Sequence, residues 1–100
     1  MIKHSEHYHE KNRNTPSPTI ENILGSRKET YGDWKDQSHL TQIFKDAAKQ
    51  NKGWKNMDES QMESLEMIFS KIARIINGDS NYKDSWTDII GYATLIEKTL

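Results

Sequence analysis

A wide apolar stripe in the second half of the chain sets the strongest limit on how the sequence can fold. Large apolar side chains recur there every three or four residues, which is the spacing of one face of an α-helix. The stripe consists of Met62, Leu65, Ile68, Phe69, Ile72, Ile75 and Ile76. One neighbouring helix cannot cover so broad a face, so this helix is predicted to lie at the centre of a helical fold.

Capping residues mark both ends of this central helix. Asp58 is its predicted N-cap, and Gln61 stands three residues later, which is the spacing of a capping box. Asn77 and Gly78 are residue types that commonly end a helix. Ser85 with Asp88 predicts a second capping box, and therefore a fourth helix close behind the central one. Its apolar positions are Trp86, Ile89, Ile90, Ala93, Ile96 and Leu100.

Two further helices are expected before the central one. The first is predicted from Ser17 as N-cap and Pro18 at the first helical position to a turn near Tyr31. The second is predicted from about Ser38 to Lys49. No segment alternates in the manner of a β-strand. The sequence therefore predicts an all-α, compact bundle of about four helices, with residues 18–100 forming a single domain.

Residues 1–17 are polar and nearly free of aliphatic side chains, so they are predicted to form a mobile tail. His4, His7 and His9 are possible metal ligands, but a mobile segment lacks the fixed geometry of a metal site. We expect no cofactor there.

The composition limits the classes of function. Lys and Arg number 14 against 15 Asp and Glu, so the net charge of −1 gives no overall field that would attract nucleic acid. The chain has no Cys and no apolar run near the ~20 residues of a membrane span. The motifs of phosphate-binding loops, dinucleotide-binding folds, zinc proteases and serine hydrolases are also absent. We expect a cytoplasmic protein in which any anion site is local.

Polar residues on the two C-terminal helices form a candidate binding surface. Helical spacing places Lys71 and Arg74 opposite the apolar stripe, where the two cations could together hold a phosphate or a carboxylate. On the fourth helix the same construction gathers Asp84, Asp88 and Tyr92 on one side. The structural alternative is a solvated helix surface with weak charge pairs.

Two neighbouring features extend this candidate site. Gly91 would allow the close approach of a ligand or of another backbone. Tyr31 or Tyr92 could stack on a nucleotide base, and the turn at Tyr31, Gly32 and Asp33 is included in the candidate site.

Carboxylates offer a different possibility, which is a magnesium site. Glu63 and Glu66 on one helix and Asp84 and Asp88 on the next would have to converge on the ion. Capping and turn roles already account for Asp84 and Asp88, so this assembly is the weaker alternative.

Trp34 and Trp54 are the candidate anchors of a protein interface, because Trp is common at such sites, although both also suit core packing. A chain this small buries a limited part of its surface, so a second copy is a possible partner.

Three segments together resemble a family of small bacteriophage and prophage proteins of uncharacterised function. They are R-x-x-x-Y-G-D-W at residues 27–34, K-I-A-R-I-I-N-G-D at 71–79 and D-S-W-T-D-I-I-G-Y-A at 84–93. More distantly, the chain looks like the phage domains called nucleotide-modification-associated, whose similarity to all-α nucleotide pyrophosphatases lies at the level of the fold. Those enzymes carry E-x-x-E followed by E-x-x-D. Residues 63–66 match the first motif, whereas Asp84 and Asp88 do not match the second.

The resemblance implies a phage-type accessory protein acting in the host cytoplasm, and it leaves three hypotheses. The first is a non-catalytic module that receives an anionic, nucleotide-like ligand, or an acidic protein surface, at Lys71 and Arg74. The second is a host-takeover or defence-inhibiting protein that acts through Trp34 and Trp54. The third is a magnesium-dependent nucleotide pyrophosphatase. The absence of a complete catalytic motif favours binding over catalysis.

Overall fold

The computed structural model describes residues 19–100, so the predicted tail lies outside the described range. The described chain forms four α-helices and one 3-10 turn. They are α1 (Ile20–Tyr31), α2 (Trp34–Gln50), the 3-10 turn (Trp54–Asn56), α3 (Glu59–Asn77) and α4 (Lys83–Glu97). No strand occurs between residues 19 and 100, which confirms the all-α prediction. None of these helices is long and apolar enough to cross a membrane.

Helix α3 is central, as predicted, because it packs against α1, α2 and α4. Its capping box is present in both directions. The Gln61 N–H donates to Asp58 Oδ1 at 2.8 Å, and the Asp58 N–H donates to Gln61 Oε1 at 3.1 Å. The helix ends at Asn77 and is followed by Gly78, as the sequence indicates.

Aromatic packing joins α2 and the 3-10 turn to α3. The Phe69 ring centre lies 6.2 Å from that of Phe44 and 6.4 Å from that of Trp54. The Trp54 and Phe69 rings are stacked, with only 25° between their planes. Phe69, which belongs to the predicted apolar stripe of α3, therefore makes the apolar contact with neighbouring elements that the stripe predicts.

The first two helices begin at positions other than those predicted. Thr19 is the N-cap of α1, because its hydroxyl accepts a hydrogen bond from the Asn22 N–H at 3.2 Å. The predicted cap Ser17 and the predicted first helical residue Pro18 lie outside the described residues. Helix α2 begins at Trp34, well before the predicted Ser38, because the Asp33 carboxylate accepts from the Lys35 N–H at 2.8 Å.

The predicted start of α4 is also wrong. The helix begins at Lys83 with no side-chain cap, and Ser85 is buried in the first turn instead of capping it. Asp79 orders the preceding loop, since its carboxylate accepts from the Asn81 N–H at 2.9 Å.

Helices α3 and α4 meet through faces that differ from the predicted ones. Lys71 on α3 and Ser85 on α4 are buried, whereas Trp86 is 51% exposed, Ile90 is 66% exposed and Ala93 is exposed. The small Ser85 allows close approach, and a buried ion pair of Lys71 occupies the contact. Part of the apolar surface of α4, including Trp86 and Ile90, is therefore left exposed.

Two turns interlock where α1 passes into α2 and where α3 ends. The Asn77 side-chain amide donates to the Tyr31 carbonyl at 3.1 Å and to the Asp33 carbonyl at 2.9 Å. The Asp79 N–H donates to the Thr30 carbonyl at 2.7 Å. We call residues 30–33 and 77–79 the turn lock. It fixes the end of α1 to the end of α3.

Glycine is required on both sides of the turn lock. Gly32 has a φ of +82°, and a Cβ at this position would collide with the backbone oxygen of Asn77. A Cβ at Gly78 would collide with the backbone oxygen of Thr30. The two backbones touch directly, so neither position has room for a side chain.

We predict that Gly32→Ala and Gly78→Ala each lower the free energy of unfolding by at least about 2 kcal/mol, because the turns must separate. Gly25→Ala is the matched control. A Cβ at Gly25 meets nothing within 4 Å, so this change within a helix should stabilise the protein by about 0.5–1 kcal/mol. Chemical denaturation measures all three, and equal effects at the three glycines would contradict the turn lock.

Candidate functional site

The turn lock places the Tyr31 ring beside two arginines. The guanidinium carbon of Arg74 lies 4.6 Å from the centre of the Tyr31 ring, and that of Arg27 lies 4.9 Å from it. The Tyr82 ring meets Tyr31 edge-on, with 5.9 Å between centres and 84° between planes. We call Arg27, Tyr31, Arg74 and Tyr82 the Tyr31 cluster. It joins α1 and α3 to the loop before α4.

Arg74 is incompletely paired within this cluster. Its Nε and Nη1 atoms are buried and have no hydrogen-bond partner. Burial lowers the pKa of Arg74, and the nearby Arg27 lowers it further, whereas Tyr31, Asp88 and Tyr92 oppose the change. Arg74 is therefore a poorly hydrated cation that lies near a second, exposed cation, Arg27.

Lys71 does not lie on a free surface, and that part of the sequence prediction is wrong. Its Nζ lies 3.0 Å from the Asp88 Oδ2, and its side chain is only 3% exposed. A buried ammonium group needs a close counter-charge, which is why the side chain turns into the contact with α4. Asp88 is thereby engaged by Lys71 and is less available to neutralise Arg74.

Asp84 and Tyr82 form the polar edge of the cluster. The Tyr82 hydroxyl donates to the Asp84 Oδ2 at 3.2 Å. Burial raises the pKa of Tyr82, and the nearby Tyr31 and Asp84 act in the same direction. Tyr82 therefore stays a neutral donor through the physiological pH range.

A pocket of about 260 Å³ opens beside Tyr31, between α1 and the start of α2. It presents two cations, Arg27 and Lys28, together with the exposed ring of Trp34, whereas the Tyr31 ring at its inner side is only 9% exposed. Among the described residues, neither of these cations forms an ion pair. The residues that line the pocket are Leu24, Arg27, Lys28, Tyr31, Gly32, Asp33, Trp34 and Gln37.

Sequence reasoning missed Arg27 and Lys28 as site residues. The available signal is the four-residue spacing from Arg27 to Tyr31, which places a guanidinium beside the ring on one helix. The pocket itself depends on the angle between α1 and α2, which the turn lock sets.

Other predicted site residues lie apart from this pocket. Tyr92 lines a groove with Glu63 and Leu95, between the first turns of α3 and the end of α4. Gly91 lies on the exposed surface of α4, and a Cβ there would meet nothing within 4 Å. Gly91 is therefore not part of the Tyr31 cluster.

Two of the four carboxylates of the magnesium alternative, Glu66 and Asp88, form ion pairs with lysines. Glu66 lies 3.5 Å from Lys45 Nζ and 3.9 Å from Lys49 Nζ. Asp88 is paired with Lys71, as described above. Within residues 19–100, no group of three or more His, Asp or Glu side chains is placed to hold a metal ion. The histidines of the tail lie outside the described residues.

The two candidate interface tryptophans differ in their surroundings. Trp34 is 68% exposed at the rim of the pocket. Trp54 is half-buried and stacks on Phe69. Only Trp34 offers most of its ring to a ligand or partner.

The sequence model of the protein family called "Domain of unknown function (DUF6378)" matches residues 18–100. The match covers most of the chain, which therefore belongs to this family. No curated protein and no solved structure matches the chain. The bacteriophage resemblance stays a prediction.

We predict an asymmetric response when the ion pair between Lys71 and Asp88 is broken. Asp88→Asn leaves the ammonium group of Lys71 buried without a counter-charge and should lower the free energy of unfolding by about 3 kcal/mol. Lys71→Met leaves a carboxylate that water still reaches and should cost only about 1 kcal/mol.

The control is Lys52→Gln, an exposed lysine between α2 and α3, which should change the free energy of unfolding by less than about 0.5 kcal/mol. Denaturant titration provides the measurement. Equal and small effects at Lys71 and Asp88 would show that the pair does not hold the helices together.

Proposed function

We propose that this member of the DUF6378 family is a binding protein that receives a small anionic ligand of nucleotide type beside Tyr31. The observation that carries the proposal is the pair of guanidinium groups on one tyrosine ring. The Tyr31 ring attracts each guanidinium group, whereas the two positive charges repel each other, and an anion that approaches would reduce this repulsion.

The local charge balance supports an anionic ligand. Arg27 and Arg74 belong to the Tyr31 cluster, and Lys28 lies beside it in the pocket. The nearby carboxylates all have other partners, since Asp88 pairs with Lys71, Asp84 accepts from the Tyr82 hydroxyl and Asp33 accepts from the Lys35 N–H. Two buried N–H groups of Arg74 still lack acceptors. A phosphate or carboxylate at the pocket would reduce the repulsion between the arginines through its field, and Arg27 and Lys28 would contact it directly.

The shape and chemistry of the pocket favour a ligand with an aromatic part. Trp34 is 68% exposed and Leu24 is 60% exposed, and both line the pocket, so a planar ring can lie on their surface next to Arg27 and Lys28. Its volume of about 260 Å³ suits a small molecule or one end of a larger one. A nucleotide combines the two parts that this surface can bind, which are a planar ring and an anionic phosphate.

This proposal changes the residues expected to touch the ligand. Arg27 and Lys28 replace Lys71 as the contacting cations, and Lys71 acts indirectly by holding Asp88. Arg74 supports the ring of Tyr31 and adds positive charge beneath it. In the bacteriophage setting that the motifs imply, the ligand would come from the nucleotide pool of the infected cell.

We predict that AMP and ATP bind the chain and that adenosine, which has no phosphate, binds at least about tenfold more weakly. Arg27→Gln should weaken nucleotide binding by about tenfold, because it removes one fork of donors and one charge. Isothermal titration calorimetry measures each dissociation constant. Arg27 is exposed, so the substitution should leave folding intact.

Two control variants separate charge from geometry. Arg27→Lys keeps the charge but loses the planar fork, so it should fall between the native chain and Arg27→Gln. Lys52→Gln removes one charge near the far end of α2 and should leave binding unchanged. Nucleotide binding that is the same in Arg27→Gln and the native chain would overturn the proposal, as would binding of adenosine as tight as that of AMP.

A turnover assay distinguishes this role from the pyrophosphatase alternative. Nucleoside triphosphates are incubated with Mg²⁺ and a high concentration of the chain, and pyrophosphate is measured. The binding proposal predicts no release. Release that disappears in Glu66→Gln would establish the enzyme instead.

A further inference from the structure

We propose that the outer side of α4 is the interface of a homodimer, in which α4 of one copy packs antiparallel against α4 of a second copy. The outer stripe of α4 consists of Lys83, Trp86, Ile90, Ala93 and Glu97. All five residues are exposed, with Trp86 at 51% and Ile90 at 66%. None of these five residues belongs to the Tyr31 cluster or lines its pocket, so this inference does not depend on the proposed ligand.

The spacing of the outer stripe is that of a helix-pairing seam. Its positions are separated by three, four, three and four residues, which keeps them on one narrow line along the helix. The surface of α4 thus carries a second pattern besides the one that packs on α3. An exposed seam with Trp and Ile at its centre is typical of a face that another helix covers.

The outer stripe is complementary to itself when two copies run in opposite directions. With Ile90 opposite Ile90, the bulky Trp86 of one copy meets the small Ala93 of the other. Lys83 of each copy then faces Glu97 of the other copy, so one pair of opposite charges lies at each end of the seam. A parallel arrangement would instead place like charges together, so complementarity of charge selects the antiparallel pair.

Two local features prepare the surface for this contact. The Trp86 indole N–H donates to the Ser80 carbonyl at 2.9 Å, which fixes the ring before any partner arrives. Gly91, next to Ile90, has open space where a Cβ would stand. Gly91 lies about 100° around the helix from Ile90, so its missing side chain removes bulk from the flank of the seam and not from its centre.

The burial pattern within one copy also indicates a missing neighbour. No large side chain in the described part of the chain is fully buried, while Lys71 and Ser85 are buried behind α4. A second copy would cover the outer stripe without a large repulsion, because the net charge is only −1. A helix of this length, about 22 Å, buries less than the roughly 800 Å² per partner of a standard interface, so we expect micromolar affinity.

Sedimentation velocity of the full chain over a range of concentrations tests the dimer. We expect monomer at about 1 μM and a largely dimeric species at about 500 μM. Ile90→Glu should raise the dissociation constant by at least about tenfold, because it places two carboxylates at the centre of the seam. Ile43→Glu is the matched control on α2, where the side chain is 47% exposed, and it should have no effect.

Exchanging the end charges tests the direction of pairing. Lys83→Glu alone and Glu97→Lys alone should each weaken the dimer, and the double variant should restore it. These residues lie about 21 Å apart along one helix, so they cannot rescue each other within one copy. Each single change also favours the helix dipole, so weaker association cannot be attributed to a weaker helix.

Three results would overturn the inference. The first is a native chain that stays monomeric at about 500 μM. The second is a dimer that Ile90→Glu leaves intact. The third is a dimer whose affinity falls in both single charge variants and stays low in the double variant, because antiparallel pairing requires recovery.

Discussion

The direct contact between two backbone turns determines how the helices of this protein are arranged. Gly32 and Gly78 have no side chains, so the turn after α1 reaches the end of α3 and the Asn77 amide bonds to both sides of Gly32. Few interactions fix the relative position of two helices as tightly as hydrogen bonds to opposing main chains. The direction of α1, the start of α2 and the place of Tyr31 all follow from this contact.

The chemistry beside the turn lock is a consequence of how charge is distributed between α3 and α4. Lys71 turns inward and engages Asp88, which places a complete ion pair inside the helix contact. Arg74, one turn later, then lies against Tyr31 with two buried N–H groups unbonded. The same helix face thus holds one satisfied cation and one unsatisfied cation. The first stabilises the helix pair, and the second contributes to a site that favours an anion.

Local signals in the sequence predicted the helices but not the direction in which all their faces point. Asp58 and Gln61 correctly predicted the start of α3, because a capping box depends only on two residues that are three positions apart. Lys71 was expected in solvent because periodicity assigns charged side chains outward, and its true position depends on Asp88 from another helix. Ser85 resembled a cap but is buried by the same contact. Arg27 was not recognised because its role depends on the tertiary position of α1.

The ligand site beside Tyr31 can be tested by an NMR titration in which AMP is added while the side-chain Nε–H signals of arginine and the indole N–H signals of tryptophan are observed. We expect the signals of Arg27, Arg74 and Trp34 to shift together and to saturate together, because one anion enters beside Tyr31. The indole signal of Trp54, which stacks on Phe69, should stay in place. Shifts confined to Trp54, or no shift of either arginine at saturating AMP, would contradict an anion site beside Tyr31.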